Sequence, residues 1–196
     1  MRGRVQANAA LYAGQELHLL PYARLDERRQ LCPYLMLEGL VISVSELRRC
    51  DIEDAGEWVA SHEEMATPVW RTFESLQEWC HSRILVDKSP SYVEHYLYMD
   101  HADVIFGRAA RYVHLVRHPY ACIDSGVELV VKYMRSKAFD PERGGDPSLA
   151  WPVMERGWVV AQRNASALDE RGKFLAGVRA GLRCVPDGMS VCVRFG

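Results

Sequence analysis

Two short apolar, β-branched runs, Ile84–Val86 and Tyr112–Val116, each stop abruptly at a cluster of polar, cationic and proline residues. The first runs into Asp87-Lys88-Ser89-Pro90 and the second into Arg117-His118-Pro119, with Ser125 eight residues beyond Arg117. Such clusters are how an open α/β sheet presents functional groups at the carboxyl ends of buried strands. Neither cluster is obvious material for a core, and both offer cations and hydroxyls. Together they predict a local anion site.

The segments around these runs carry helical patterning. Leu35–Leu47 has apolar residues at helical intervals, although Val41, Ile42 and Val44 leave a strand open. Thr67 can cap a helix that Pro68 opens, with Trp70, Phe73, Leu76 and Trp79 as its inward side and an end near His81. A helix is expected over Tyr92–Phe106 with Val93, Tyr96, Leu97 and Val104 facing inward, giving way at Gly107. Pro119 is placed to open another over Tyr120–Arg135, and a long one runs from Ser148 to about Glu170, including Trp151, Met154, Trp158 and Val159. Lys137–Pro147 has the Pro, Gly and Asp content of a loop, and Met189–Phe195 the composition of a strand. The first fifteen residues are weakly patterned, and no linker or repeat divides the chain. Strand–helix alternation over residues 1–196 favours one α/β domain with a parallel sheet flanked by helices.

Composition narrows the function. A chain of 196 residues that is 48% hydrophobic can bury a sizeable core. Its net charge of −2 argues against a nucleic-acid partner or an anionic membrane, so any anion site must be local. The six cysteines form no C-x-x-C pair and no zinc-ligand spacing with histidine, and no metal is expected. Five of them lie beside apolar residues, as buried thiols in a reducing compartment do. No apolar run approaches the roughly 20 residues of a membrane helix, and the N-terminal segment lacks the apolar core of a secretory signal. A cytoplasmic protein is expected.

Three groups of residues could carry chemistry. A strand ending in Arg117, followed by a Pro-initiated helix bearing Ser125 two turns on, places a guanidinium fork and a hydroxyl towards one crevice, which suits a phosphate. A surface ion pair and an exposed serine would give the same spacing. Lys88 offers a compact cation for charge developing on a bridging oxygen, and Ser89 a neighbouring donor, although Asp-Lys-Ser-Pro is also ordinary turn composition. In Gly14-Gln15-Glu16-Leu17-His18, either Glu16 or His18 could act as a general base, against the plainer reading of a surface charge.

The stretches LVDKSPSY and ARYVHLVRHPYACIDS, in that order and with an Arg–Ser spacing of eight, closely resemble the sulfotransferase family that uses 3′-phosphoadenosine-5′-phosphosulfate (PAPS). The bacterial members most similar include sulfotransferase domains of polyketide synthase modules. The resemblance extends from residue 7 to near the end and is strongest over 83–125. It implies a three-layer, P-loop-kinase-like α/β fold and a metal-free transfer of a sulfuryl group to an acceptor hydroxyl. It assigns Arg117 and Ser125 to the 3′-phosphate, Lys88 to the transferred group with Ser89 beside it, and Glu16 to the acceptor-side base, with His18 and His118 as weaker acid–base candidates. A β-hydroxyl on a carrier-bound acyl chain is the acceptor it suggests, with small molecules and carbohydrates also open. The oligomeric state stays open.

The chain also departs from that family. No loop of the R-S-G-S/T-T kind, which would hold the 5′-phosphosulfate, occurs before the matching segment, and there is no G-x-x-x-x-G-K-[ST] sequence. The resemblance therefore implies a chain truncated at both ends, inactive on its own, with the central first strand missing and its neighbours' edges unpaired. A non-catalytic remnant or interaction module of the same fold is the alternative. A serine hydrolase is disfavoured, since G-x-S-x-G is absent.

Overall fold

The computed structural model describes residues 9–31, 37–89, 92, 95–106, 111–114, 118–134, 150–170 and 191–194. Its strands are β1 (Leu11–Ala13), β2 (Ile84–Lys88), β3 (Arg111–His114) and β4 (Val191–Arg194). Its helices are α1 (Leu25–Leu31), α2 (Glu38–Arg48), α3 (Ile52–Glu64), α4 (Val69–Trp79), α5 (Tyr96–Phe106), α6 (Pro119–Met134) and α7 (Ala150–Glu170).

The sheet order is β1-β2-β4-β3. β1 pairs with β2 in parallel, in the register Leu11 with Ile84, Tyr12 with Leu85 and Ala13 with Val86. β4 lies between β2 and β3 and runs antiparallel to both. The wholly parallel sheet expected from strand–helix alternation is thus corrected to a mixed one. Ladder donors and acceptors can be satisfied in either orientation, so composition alone does not fix a strand's direction.

Helix faces depart from the pattern in two places. On α4 the buried residues are Val69, Thr72, Phe73 and Leu76, while Trp70 is exposed. A strict spacing of three advances about 300° per step, so Trp70 and Trp79 end on opposite sides of the helix. Pro68 takes the cap position with no side-chain cap, and Thr67 instead offers its carbonyl to Leu25 N–H at 3.0 Å. On α5, which starts at Tyr96, Leu97 and Val104 are 69% and 83% exposed, and Met99 and Ala102 are buried. Positions seven apart share a face, but here the opposite face meets the core. In α7 the buried positions are Ala161 and Ala165, with Trp151 and Val159 outside.

Helix α3 escaped the apolar pattern but carries a start signal, since Asp51 accepts from Asp54 N–H at 2.8 Å. α2 packs on α3 and α4, and α4 on β2. Leu40, Val44, Phe73, Leu76, Leu85 and Met99 meet the buried leucines 17, 19 and 20 in one core. Among the described residues Cys50, Cys80 and Cys122 are free thiols, the last two buried. No helix among the described residues is long and apolar enough to cross a membrane.

Candidate functional site

Parallel pairing of β1 with β2 carries both chains off the sheet side by side, so residues 15–20 run past residues 87–89. Leu17, Leu19 and Leu20 drive this segment inward, each almost fully buried. Among the described residues it has no strand partner there, so its buried amides need side-chain partners. The Asp-x-Ser-x-x-Tyr pattern of residues 87–92 supplies them. Asp87 Oδ1 accepts from Leu17 N–H at 3.2 Å. Ser89 Oγ accepts from His18 N–H at 3.0 Å and donates to Asp87 Oδ1 at 2.8 Å. The Tyr92 hydroxyl accepts from Leu19 N–H at 3.0 Å and donates to Asp87 Oδ2. Three consecutive amides thus converge on one buried carboxylate, two of them through hydroxyl relays. Burial pushes the Asp87 carboxyl above its ordinary pKa, against the opposing pull of these donors.

Other elements hold the same segment. Buried Arg28 of α1 donates from Nε to Leu17 O at 3.1 Å, and His101 Nδ1 of α5 lies 3.0 Å from Leu20 O. Ser43 of α2 accepts from Gln15 N–H at 3.3 Å. Gly39 of α2 faces the Glu16 carbonyl so closely that a Cβ there would lie 2.0 Å from the oxygen. Within this frame His18 sits at φ 49°, a left-handed conformation uncommon for a side-chain-bearing residue.

The frame sets Glu16 against Lys88. Alternation along β2 turns Asp87 inward and leaves Lys88 partly open, and its Nζ donates to Glu16 Oε1 at 2.5 Å. His18 Nε2 lies 3.5 Å from Glu16 Oε2. Burial alone would raise the Glu16 pKa, but hydrogen bonds and charge from His18 and Lys88 outweigh it and hold it below its ordinary 4.5. The side chains of Lys88 and Glu16 are 27% and 38% exposed. Pairs this open stabilise a fold by only about 0.2–1 kcal/mol, so stability is a weak reason for the arrangement. Chemically it joins an accessible cation, an ionised carboxylate and an imidazole at the end of one strand.

Two solved structures share this architecture. The sulfotransferase domain from the Synechococcus PCC 7002 olefin synthase is 29% identical, with a TM-score of 0.74 over 89% of this chain and 58% of that one. The sulfotransferase domain from the curacin biosynthetic pathway is 26% identical, with a TM-score of 0.73 over 89% of this chain and 60% of that one. The chain has a sulfotransferase-like fold. It spans about three-fifths of the length of either domain. No family model and no curated protein matches it.

Of the residues expected at a sulfotransferase-like site, Glu16, His18, Lys88 and Ser89 come together. Ser89, expected beside the donor, is fully buried, with its hydroxyl proton given to Asp87. Asp87 is equally buried, so this half of the cluster does belong to the core, correcting the expectation that neither cluster packs there. Ser125 lies half-buried on α6, and His118 is exposed beside Tyr120, with ring centroids 5.5 Å apart. Arg117 lies outside the described residues. No cluster of three metal-ligating side chains occurs among the described residues. No site role follows from sequence for Asp87, Tyr92 or Gly39, Asp87 being legible only as part of the polar cluster after Val86. The Asp-x-Ser-x-x-Tyr spacing was a signal for the first two; for Gly39 there was none.

Proposed function

We propose that the chain belongs to an enzyme that transfers a sulfuryl group from PAPS to an acceptor hydroxyl, on a P-loop-kinase-like three-layer fold. One observation carries the reading: Lys88 Nζ and Glu16 Oε1, 72 residues apart in sequence, meet at 2.5 Å at the carboxyl end of β2. The donor set suits the group, with an accessible ammonium for a phosphosulfate and a carboxylate beside it for a hydroxyl proton. PAPS, when bound, supplies an already activated sulfuryl group, so the protein needs only to orient it, offset charge and move one proton. Arg117 and Ser125 would hold the 3′-phosphate, by a guanidinium fork and a hydroxyl. Lys88 would sit where negative charge grows as the sulfuryl group departs. Glu16, ionised at neutral pH, would take the acceptor's proton at a carboxylate oxygen, with His18 polarising it from the other side. A carrier-bound β-hydroxyacyl chain is the acceptor we favour, since both similar domains come from synthase or biosynthetic pathways.

The test is calorimetric and then catalytic. Adenosine 3′,5′-bisphosphate should bind the wild-type chain, and Arg117→Ala should weaken binding by about 1.5–3 kcal/mol, the scale of a hydrogen bond to a charged group. Labelled PAPS should then transfer to hydroxyacyl pantetheine thioesters in the polypeptide that carries residues 1–196. Equal affinity of wild type and Arg117→Ala, with no transfer to any hydroxyl, would overturn the reading.

A further inference from the structure

We propose that Ser89 and Tyr92, acting through Asp87, are positioning residues that hold the backbone of residues 17–19 so that Glu16 and His18 stay against Lys88; it rests on the sulfuryl-transfer reading of that trio. None of the three is offered as touching substrate. Their hydroxyls and carboxylate are buried, and each has its partners inside the protein.

The geometry points to placement beyond simple core packing. A core serves equally well with an apolar residue of similar shape, and burying a carboxylate is costly without full pairing. Among the described residues the hydrogen bonds to this buried carboxylate all come from groups leading to amides 17, 18 and 19, with the His18 side chain adding favourable charge. Those amides flank the side chains that matter: Glu16 precedes the first, and His18 carries the second. The middle one belongs to the residue at φ 49°, where a free backbone would relax to a commoner conformation. The same strand end aims Lys88 outward at Glu16 while Asp87 and Ser89 grip the opposite chain from within. One short motif thus supplies the cation and fixes its partner. Releasing the His18 amide would let Glu16 and His18 drift relative to Lys88, and misplacement by about 1 Å can lower turnover up to about 100-fold.

The groups facing Glu16 are Lys88 and His18, and these keep its acid titration below 4.5. Carbon-13 NMR of the glutamate carboxyls, with the Glu16 signal identified from Glu16→Gln, reads their contact directly. Ser89→Ala removes the acceptor of the His18 amide, Ser89→Thr restores a hydroxyl, and Tyr92→Phe keeps the ring but removes the relay to Leu19. Lys88→Met shows how the signal responds when the cation itself is lost. In folded Ser89→Ala and Tyr92→Phe the Glu16 midpoint should move up towards 4.5, and Ser89→Thr should return it towards wild type. Turnover should fall with it, in kcat more than in KM for donor. If Ser89→Ala does not fold, Tyr92→Phe decides the question. Folded variants with an unchanged Glu16 midpoint and unchanged kcat would reduce the network to a structural role and overturn the proposal. A shifted midpoint in a wild-type background that transfers no sulfuryl group would keep the positioning role and sink the sulfuryl-transfer reading instead.

Discussion

Gly39 offers the sharpest test of how the site is assembled. An added Cβ would stand 2.0 Å from the Glu16 carbonyl oxygen and 2.9 Å from its carbon, and real Cβ atoms essentially never approach within 3.0 Å. The obstacle is backbone, so α2 and the Glu16 segment must separate by about 1 Å, the order of overpacking cost being about 1–3 kcal/mol. Neither side moves freely, because Gln15 N–H is bonded to Ser43 and Leu17 N–H to Asp87. Losing one of these bonds adds about 1 kcal/mol. Against this, alanine is the better helix former by at most about 1 kcal/mol. The clash wins by about 2 kcal/mol, which lowers Tm by roughly 4–8 °C in a chain of this size. Gly56→Ala on α3 is the control, since nothing lies within 4 Å of its Cβ and only the helix gain applies. Thermal unfolding followed by circular dichroism should therefore move in opposite directions for the two variants. Gly39→Ala should also lower turnover, because it pushes Glu16 off Lys88. A Gly39→Ala protein melting at or above wild type, as Gly56→Ala should, would refute the close approach.

Lys88→Ala should lower kcat by about 100-fold or more while changing donor affinity far less, because a charge beside a departing oxygen matters most in the transition state; single-turnover rates set beside calorimetry would separate the two. The Glu16 pKa is held down in the folded state, so its contribution to stability is present above its ordinary 4.5 and is lost as pH falls through the lower folded value. The acid limb of kcat/KM should accordingly lie below 4.5 in a chain that stays folded, and a limb in the range typical of histidine, about 6–7, would remove Glu16 as the base. The Cys80 thiol is fully buried and pushed up to about 11 by burial, so iodoacetamide at about pH 8 should label Cys50 before Cys80 in the native chain, and Cys80 only after denaturation; peptide mass spectrometry reads the order.

Local chemistry made much of this protein legible in one dimension. The strand beginning at Ile84 (which runs on to Lys88, two residues past the expected end at Val86), a proline opening the helix at Pro119, and the span of α7 depend on a few neighbouring residues, and sequence shows those neighbours. Lys88 was legible as a cation at a strand end for the same reason, and two ordered motifs were enough to resemble the sulfotransferases. Three features were beyond reach because remote parts of the chain decide them. Which side of α5 is buried depends on what packs against it, and the core chose Met99 and Ala102 over Leu97 and Val104. The direction of β4 depends on the two edges it joins, and backbone pairing accepts either orientation. The inward turn of Asp87 and Ser89 depends on residues 17–19, some 70 positions away, whose amides would otherwise be buried without acceptors. Sequence could name Glu16 and Lys88 as candidates; only the parallel register of β1 on β2 brings them within a hydrogen bond of each other.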